Sequence, residues 1–473
     1  MSRPAGPTVA IVGGGFTGAC VALHLAERWS GALALHVVEP RAGLGRGVAY
    51  DSDEPAHRIN VPSTRMSIYP GDEGHFDRWL RANDAVADDP AATLPDGRIF
   101  PRRAVFGRYA GAALAEVLRR RPAIVFRHHR TRAVTVAATP GGYRIHLADG
   151  GSIEADLVVL ATSHPPPAPP AELSTLDGVA GYVPDPWAPG ALDAIGPDDR
   201  VVIAGTGLTM ADIVAALALK GHRGPIAVLS RRGLLSRGHP PAPVEPWGRF
   251  DQPPPRTALE LLRRVRAELR AAAAAGQPWQ AVLDAVRRDA QNLWSQLPLR
   301  QRARLLRHLR PFWDVHRYRV APQVEAAVAD AASEGRFTRR LGRLRGAEPS
   351  PEGIRVRFGR DETIETDALV LATGPAHGSV IAGNPALASL AAAGLVKADS
   401  LGLGIATDRS SRAIALDGRA LDTLLVAGPL ARATFGELMG LPQVSAQAEQ
   451  VAVRVAAWLT AAGARRGLAT ASL

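Results

Sequence analysis

The chain has 473 residues, about three times the length of a usual single domain, so two or three domains are expected. Its 56 basic residues outnumber its 45 acidic residues. Because the arginines are scattered among acidic residues, the charge pattern disfavours nucleic-acid binding, and the phosphates of a dinucleotide are better candidate partners. A single cysteine, Cys20, excludes an internal disulfide and a cysteine-rich metal site, and no apolar run approaches the roughly 20 residues that span a bilayer. We therefore expect a cytoplasmic protein without a bound metal or membrane contact.

The first predicted unit is a strand, a helix and a strand at the N-terminus. Residues 8–13 predict a strand, the segment to about Arg28 a helix, and Leu33–Glu39 the next strand, an order typical of a doubly wound parallel sheet. Between the first strand and the helix, glycines at positions 13, 15 and 18 match the G-x-G-x-x-G fingerprint. They would provide a tight turn, close approach of a pyrophosphate and close packing of helix on strand.

An acidic residue ends the second strand of this unit. Glu39 follows Gly15 by 24 residues, a position from which a carboxylate can accept hydrogen bonds from the adenosine ribose. This context predicts dinucleotide binding, the alternative being a glycine-rich turn in an ordinary α/β domain.

The same arrangement recurs in the middle of the chain. Residues 201–205 predict a strand, Leu208–Leu219 a helix and 225–230 a strand; the turn GTGLTMAD at 205–212 has alanine in place of the third glycine, or a shifted register. The position equivalent to Glu39 is Ser230, followed by Arg231 and Arg232, which could bind a 2′-phosphate that an acid would repel. NADPH is therefore favoured over NADH, although a solvated turn would also explain the two arginines.

The rest of the chain predicts how these units are joined. The proline-rich segment 164–170 is typical of a crossover between domains, and residues 257–332 are helical in pattern. Strands are predicted again at 354–358, 368–372 and 424–427, and a last helix from about Pro442 to Leu459. No repeat is apparent beyond the two strand-helix-strand units. The predicted fold is α/β, with two Rossmann-like domains and a helical insertion at 255–332. The FAD-binding domain would comprise residues 1–190 and 371–473, and the NAD(P)H-binding domain residues 191–370.

Two further strands end alike, in LVVLAT at 157–162 and LVLATG at 369–374, and each follows an aspartate, Asp156 or Asp367. Such strands are typical of flavoproteins with two dinucleotide-binding domains.

Together these motifs identify a resemblance. The chain resembles the FAD/NAD(P)-binding oxidoreductases related to class B flavoprotein monooxygenases, some of which are similar to amino-acid N-hydroxylases. The resemblance extends over GGGFTG at 13–18, GRGVAY at 45–50, HRINVPSTRMS at 57–67, GTGLTMAD at 205–212, SRRGLL at 230–235, WDVHRYRVAP at 313–322, ATGP at 372–375 and GPLARATFGE at 428–437. It implies FAD at the first glycine turn and at Glu39, with the isoalloxazine beside Asn60, Val61 and Pro62.

The predicted cofactor ligands include neighbours of these motifs. The full set is Gly13, Gly15, Phe16, Thr17, Gly18, Glu39, Arg46, Asn60 and Val61 for FAD, Gly205, Gly207, Leu208, Thr209, Ser230, Arg231 and Arg232 for NADPH, and Gly374 and Gln443 near the flavin. A helix starting near Pro442 could aim the N–H groups of Gln443 and Val444 at the flavin, because a helix N-terminus favours negative charge.

The resemblance implies a monooxygenase that hydroxylates a small amine or amino acid with dioxygen, through a flavin C4a-hydroperoxide. Substrate carboxylates would need guanidinium partners, for which Arg65 is the first candidate and His316 and Arg317 the second, unless these are surface or ion-pair residues. No catalytic residue stands out.

Alternatives are a reductase that passes electrons to an organic acceptor and a flavin-binding redox sensor. Ketone oxygenation is disfavoured, because Tyr182 replaces the histidine of that signature, and a disulfide reductase is disfavoured because Cys20 has no second cysteine.

Overall fold

The computed structural model describes residues 6–163, 165, 167–374 and 380–471, with side chains as far as residue 464. His164 and Pro166 of the predicted crossover, and Pro375 of the ATGP string, lie outside the described residues. Among the described residues, no helix combines the length and the apolar character needed to cross a membrane.

The strands and helices follow the predicted order. The strands are β1 (Thr8–Val12), β2 (Leu33–Val38), β3 (Ile124–His129), β4 (Ala133–Thr139), β5 (Gly142–Leu147), β6 (Ser152–Ala155), β7 (Leu157–Leu160), β8 (Tyr182–Val183), β9 (Val201–Ala204), β10 (Ile226–Ser230), β11 (Phe337–Leu341), β12 (Leu344–Ser350), β13 (Gly353–Phe358), β14 (Glu362–Thr366), β15 (Ala368–Leu371), β16 (Arg412–Ile414) and β17 (Ala420–Val426). The helices are α1 (Phe16–Arg28), α2 (Gly47–Tyr50), α3 (His75–Ala82), α4 (Arg103–Arg119), α5 (Leu208–Leu219), α6 (Ala258–Ala274), α7 (Trp279–Gln296), α8 (Leu299–His308), α9 (Arg310–Arg317), α10 (Pro322–Ser333), α11 (Pro385–Ala392), α12 (Arg432–Phe435) and α13 (Leu441–Ala471).

Two sheets form the framework, parallel throughout apart from the antiparallel pair β16-β17 at the edge of the first, which confirms the predicted fold class. The first has the order β16-β17-β7-β1-β2-β3, and the second the order β11-β10-β9-β15-β8. Central strands such as β1, β7 and β9 are fully buried, as expected for apolar, β-branched runs covered on both faces. Because β8 pairs with β15, residues 182–183 lie in the second sheet, although the predicted boundary places them in the first domain. The division into domains stays a prediction.

The two sheets are built on the same plan, so the prediction of no repeat beyond the two strand-helix-strand units is wrong. In the first sheet β7-β1-β2-β3 are adjacent, and in the second β15-β9-β10-β11 take the same places. Each third strand is followed along the chain by a three-stranded antiparallel sheet, β4-β5-β6 or β12-β13-β14, which leads into β7 or β15. The repeat escaped detection because the segment before the third strand differs completely between the two halves.

The helical insertion lies between β10 and β11. Its helices α6 to α9 enclose a core that includes Phe250, Leu261, Val282 and Leu293. The last helix of the predicted insertion, α10, instead packs against α5 and contributes Val324 to the core of the second sheet. The insertion with its own core therefore ends at α9.

Candidate functional site

The first glycine turn connects β1 to α1 and leaves no room for side chains at two positions. Gly13 has a φ of +101°, donates its N–H to the carbonyl of Val38 at 2.9 Å, and a Cβ here would lie 2.5 Å from the carbonyl oxygen of Ala161. A Cβ on Gly18 would lie 1.9 Å from the carbonyl oxygen of Gly13. Both positions therefore require glycine, as the fingerprint predicts.

The N-terminus of α1 is open to an anion. Gly15 is its N-cap, no side chain caps the helix, and its first turn contains no acidic residue. Phe16 and Thr17 form that first turn, so their N–H groups add to the positive end of the helix dipole. Both features suit a pyrophosphate.

The carboxylate of Glu39 lies beside this turn. It is buried and accepts hydrogen bonds from the N–H of Gly14 at 3.1 Å, the N–H of Arg41 at 3.1 Å and the Arg41 guanidinium at 3.0 Å. The carboxylate is thus held in place at the end of β2. Its predicted bond to a ribose stays a prediction.

The second turn repeats the geometry of the first. Gly205 has a φ of +127° and donates its N–H to the carbonyl of Leu229 at 2.9 Å, and a Cβ here would lie 2.3 Å from the carbonyl oxygen of Ala372. Ala161 and Ala372 are the alanines of the two similar strand ends, LVVLAT and LVLATG, so these strings supply the backbone against which each turn packs.

The aspartates before these strands are also equivalent. The Asp156 carboxylate accepts the N–H of Thr8 at 2.7 Å, and that of Asp367 accepts the N–H of Arg200 at 2.7 Å. Each therefore ties the start of a strand that precedes a glycine turn to the neighbouring strand.

The second turn differs at its third position. α5 begins at Leu208 with Gly207 as its N-cap, so Met210 stands where Gly18 stands in the first unit. Of the two alternatives for this turn, an alanine in place of the third glycine is therefore wrong, because the nearest alanine, Ala211, is one position later; the other alternative was a shifted register. Around Gly207 itself a Cβ would meet nothing within 4 Å, which leaves the space beside the helix N-terminus, with Thr209 in its first turn, open to a ligand.

A basic surface lies at the end of β10. Ser230 accepts the N–H of Gly233 at 2.8 Å through its hydroxyl, and Arg231 and Arg232 are exposed. The adjacent strand β11 adds the exposed Arg339 and Arg340, which sequence reasoning missed because β11 lies far along the chain. Four guanidiniums near one strand end suit a phosphate group.

The segment predicted to face the isoalloxazine contacts the part of the chain that follows β10. Asn60 and Val61 are half-buried, and the backbone carbonyl of Asn60 is 2.9 Å from Nε2 of His239, which follows β10. Burial lowers the pKa of His239 to about 4, so the ring is neutral and donates this bond from Nε2. The ring also packs edge-on against Phe100, with the ring centres 5.2 Å apart.

Arg46, another residue predicted to bind FAD, forms an ion pair with Asp51 at 3.3 Å.

A buried ion pair joins α4 to the helix of the second glycine turn. The Arg103 guanidinium is 2.8 Å from the Asp212 carboxylate, and both side chains are almost fully buried. Arg103 also donates to the backbone carbonyl of Arg58 at 2.8 Å and lies 5.2 Å from the ring centre of Trp187. Asp212 was visible in the GTGLTMAD motif, but its partner could not be identified from the sequence.

The N-terminus of α13 carries the predicted Gln443. The Gln443 side-chain oxygen accepts a hydrogen bond from Arg287 at 3.4 Å, while the N–H of Val444 donates to the carbonyl of Gly440 at 3.0 Å. The prediction that Val444 offers its N–H to the flavin is therefore wrong, because that group is used within the helix.

Burial lowers the pKa of Arg287 to about 10, and its Nε has no partner among the described residues. Gly374, also predicted near the flavin, has a φ of +77°.

The three predicted substrate ligands do not form one cluster. Arg65 is exposed at the end of a short 3-10 turn and makes no contact with the other two. His316 bonds the carbonyl of Phe312 at 2.7 Å through Nδ1, and Arg317 donates two bonds, of 3.1 and 2.7 Å, to one oxygen of the buried Glu437. Their substrate roles stay predictions.

A large cavity lies between the helical insertion and the segment that contains α12. It has a volume of about 370 Å³ and mainly apolar walls, and sequence reasoning missed it. This segment follows β17, and a Cβ on Gly428 at its start would lie 2.7 Å from the hydroxyl of Thr17. The cavity is therefore connected through one short segment to the first glycine turn.

Comparisons with known proteins agree with this architecture. Residues 10–165 match a family model described as FAD-NAD(P)-binding. No curated protein matches the chain by sequence.

Three solved structures share the fold over nearly their whole length. The ornithine N-hydroxylase of Kutzneria sp. 744, solved with reduced FAD, NADP⁺ and L-ornithine, is 17% identical with a TM-score of 0.62, over 95% of this chain and 98% of that one. The L-lysine 6-monooxygenase of Pseudomonas syringae is 17% identical, with a TM-score of 0.59 over 97% and 99%. The cadaverine monooxygenase of Erwinia amylovora, solved with FAD, is 14% identical, with a TM-score of 0.61 over 95% and 94%. The resemblance to amine-hydroxylating flavoproteins is thus confirmed at the level of the fold.

Proposed function

We propose that this chain is an FAD-dependent, NADPH-linked monooxygenase that hydroxylates a small amine or amino acid. The observation that carries the proposal is the pair of equivalent glycine turns at Gly13 and Gly205, one in each parallel sheet. One turn serves FAD and the other NADPH. The shared fold of the ornithine, lysine and cadaverine monooxygenases supports this assignment.

The residues at the first turn fit FAD. The open N-terminus of α1 would bind the pyrophosphate and Glu39 the ribose, while Asn60 and Val61 would lie along the isoalloxazine. We assign residues 1–190 and 371–473 to this domain, apart from the strand β8. When bound, the flavin supplies the activation of dioxygen.

The residues at the second turn fit NADPH. The space beside Gly207 would receive the pyrophosphate, and Ser230, Arg231 and Arg232 would bind the 2′-phosphate. We assign residues 191–370 to this domain. The chain's own contribution to the reaction is to position both cofactors and the amine and to exclude water.

Arg287 would assist at the flavin. Its guanidinium is buried beside Gln443 at the start of α13, where its Nε has no partner in the part of the chain that the structure describes. Positive charge at this helix N-terminus would stabilise negative charge on a reduced flavin that binds there.

The test is the balance of the reaction in the purified yellow protein. One NADPH, one proton, one dioxygen and one amine should yield one hydroxylamine, one NADP⁺ and one water, so oxygen uptake and hydroxylated product should both depend on the amine. NADPH oxidation coupled to an organic acceptor, without oxygen uptake, would instead identify a reductase. Absence of bound flavin would refute both. Slow, amine-independent reduction by NADPH would favour a redox sensor.

A further inference from the structure

The cavity beside α12 has walls unlike those expected for a polar ligand. Apolar side chains form most of its surface, with leucines and tryptophans of α6 to α9 prominent among them, and its volume of about 370 Å³ is within the usual range of small-molecule sites. The lining includes Leu262, Leu283, Leu305, Trp279, Trp294 and Trp313. Burying a polar chain against such walls leaves its hydrogen-bonding groups without partners.

Charged groups line the cavity near the segment that leads to α13. Glu437 uses one carboxylate oxygen for both bonds from Arg317, and the other oxygen makes no hydrogen bond among the described residues. Asp314 lies 3.4 Å from Arg310, and Arg432 also lines the cavity. These carboxylates can accept N–H bonds from an amine, and the guanidiniums can accommodate a carboxylate beside it.

We propose that this cavity binds an organic amine with a bulky apolar body, either a simple alkyl or aryl amine or an amino acid with a large apolar side chain. The hydrocarbon body would pack against the leucine and tryptophan walls. The amino group would lie at the carboxylates of Glu437 and Asp314, on the side of the segment that continues to the first glycine turn. The inference rests on the proposed monooxygenase for turnover, but binding can be tested without it.

A chain-length series measures the apolar contribution. Each methylene that is buried is expected to tighten binding about fourfold, so octylamine should bind about sixtyfold more tightly than pentylamine. Trp279, Trp294 and Trp313 line the cavity and provide a fluorescence signal for titration of the flavin-loaded protein. Ornithine and lysine should bind at least tenfold more weakly than octylamine.

A matched pair of variants locates the site. Ala290 lines the cavity on α7, so Ala290→Phe should fill part of it and weaken octylamine binding at least tenfold. Ala267 is exposed on α6 outside the lining, so Ala267→Phe should leave binding unchanged. The flavin spectrum and Tm of both variants would show whether they fold.

Phenylethylamine and phenylalanine distinguish the two head groups. Binding of either supports the proposal, and the tighter one shows whether a carboxylate belongs to the ligand. A flat chain-length series, tighter binding of ornithine, or an Ala290→Phe variant that folds and binds normally would overturn it. Binding without hydroxylation would leave this inference intact and refute the monooxygenase, whereas hydroxylation of ornithine alone would do the opposite.

Discussion

Removal of the Asp212 carboxylate should destabilise the contact between the two halves of the chain. Asp212 and Arg103 are 2.8 Å apart and almost fully buried, so Asp212→Leu would leave a buried guanidinium without its charge partner. Loss of one member of such a pair costs about 3 to 5 kcal/mol. Because Arg103 keeps its bond to the Arg58 carbonyl and its contact with Trp187, we expect the lower end, about 3 kcal/mol.

The assay is urea unfolding followed by tryptophan fluorescence and by flavin release. The double variant Arg103→Met/Asp212→Leu should recover most of the loss, because apolar residues of similar volume replace both charges. As a surface control, Asp198→Ala breaks an exposed pair with Arg223 and should cost less than about 1 kcal/mol. If Asp212→Leu cost no more than this control, or if the double variant were as unstable as the single one, the pair would not hold the halves together.

Three further predictions concern the turns, the coenzyme and pH. Gly205→Ala should abolish flavin reduction by NADPH in stopped-flow experiments, because a Cβ at φ +127° collides with the backbone. Gly207→Ala should keep the native Tm, because the space around Gly207 is open, but it should weaken NADPH binding. Arg231→Glu/Arg232→Glu should lower the preference for NADPH over NADH at least tenfold in kcat/KM, and an unchanged ratio would place the phosphate elsewhere. His239, with a folded pKa of about 4 against 6.5, is neutral when folded, so its contribution to stability is complete above pH 6.5 and falls by about 2 to 3 kcal/mol as the pH drops toward 4. His239→Gln should flatten this part of the stability profile, and an unchanged slope would contradict the assignment.

The sequence predicts what is local in the chain. Gly13 and Gly205 could be found because each turn lies between a strand and a helix within a few residues, and the steric demand on each is local. The resemblance extended this to the segment at Asn60 and Val61, whose place beside the flavin stays a prediction. The sequence left two alternatives for the third position of the second turn, because a helix can start after two glycines without a third, and the start of α5 at Leu208 places Met210 there.

The contacts that build the site join residues far apart in the sequence. The periodic spacing of apolar residues along the chain predicts helices and strands but does not indicate such contacts. Arg103 and Asp212 are 109 positions apart, and His239 and Asn60 are 179 apart. For Arg317 the sequence left open a substrate ligand or an ion-pair residue, since nothing in its segment shows that Glu437 lies against it. The apolar cavity was missed for a related reason, because leucines at helical spacing predict a helix face but not whether another element fills the space beside it.

The internal repeat explains where the chemistry lies. In each half, the chain between the second and third strands of the parallel sheet is the segment that differs: residues 39–123 in the first half and 231–336 in the second. The first contains Asn60 and Arg103, and the second contains His239 and the cavity helices. These segments meet each other directly, through the bond from His239 to the Asn60 carbonyl and through Arg98, which donates to the carbonyls of residues 240 and 241 at 3.1 and 2.9 Å. The repeated framework therefore places the two glycine turns that we assign to the cofactors, and the two inserted segments, which differ between the halves, are where we expect the substrate to be selected.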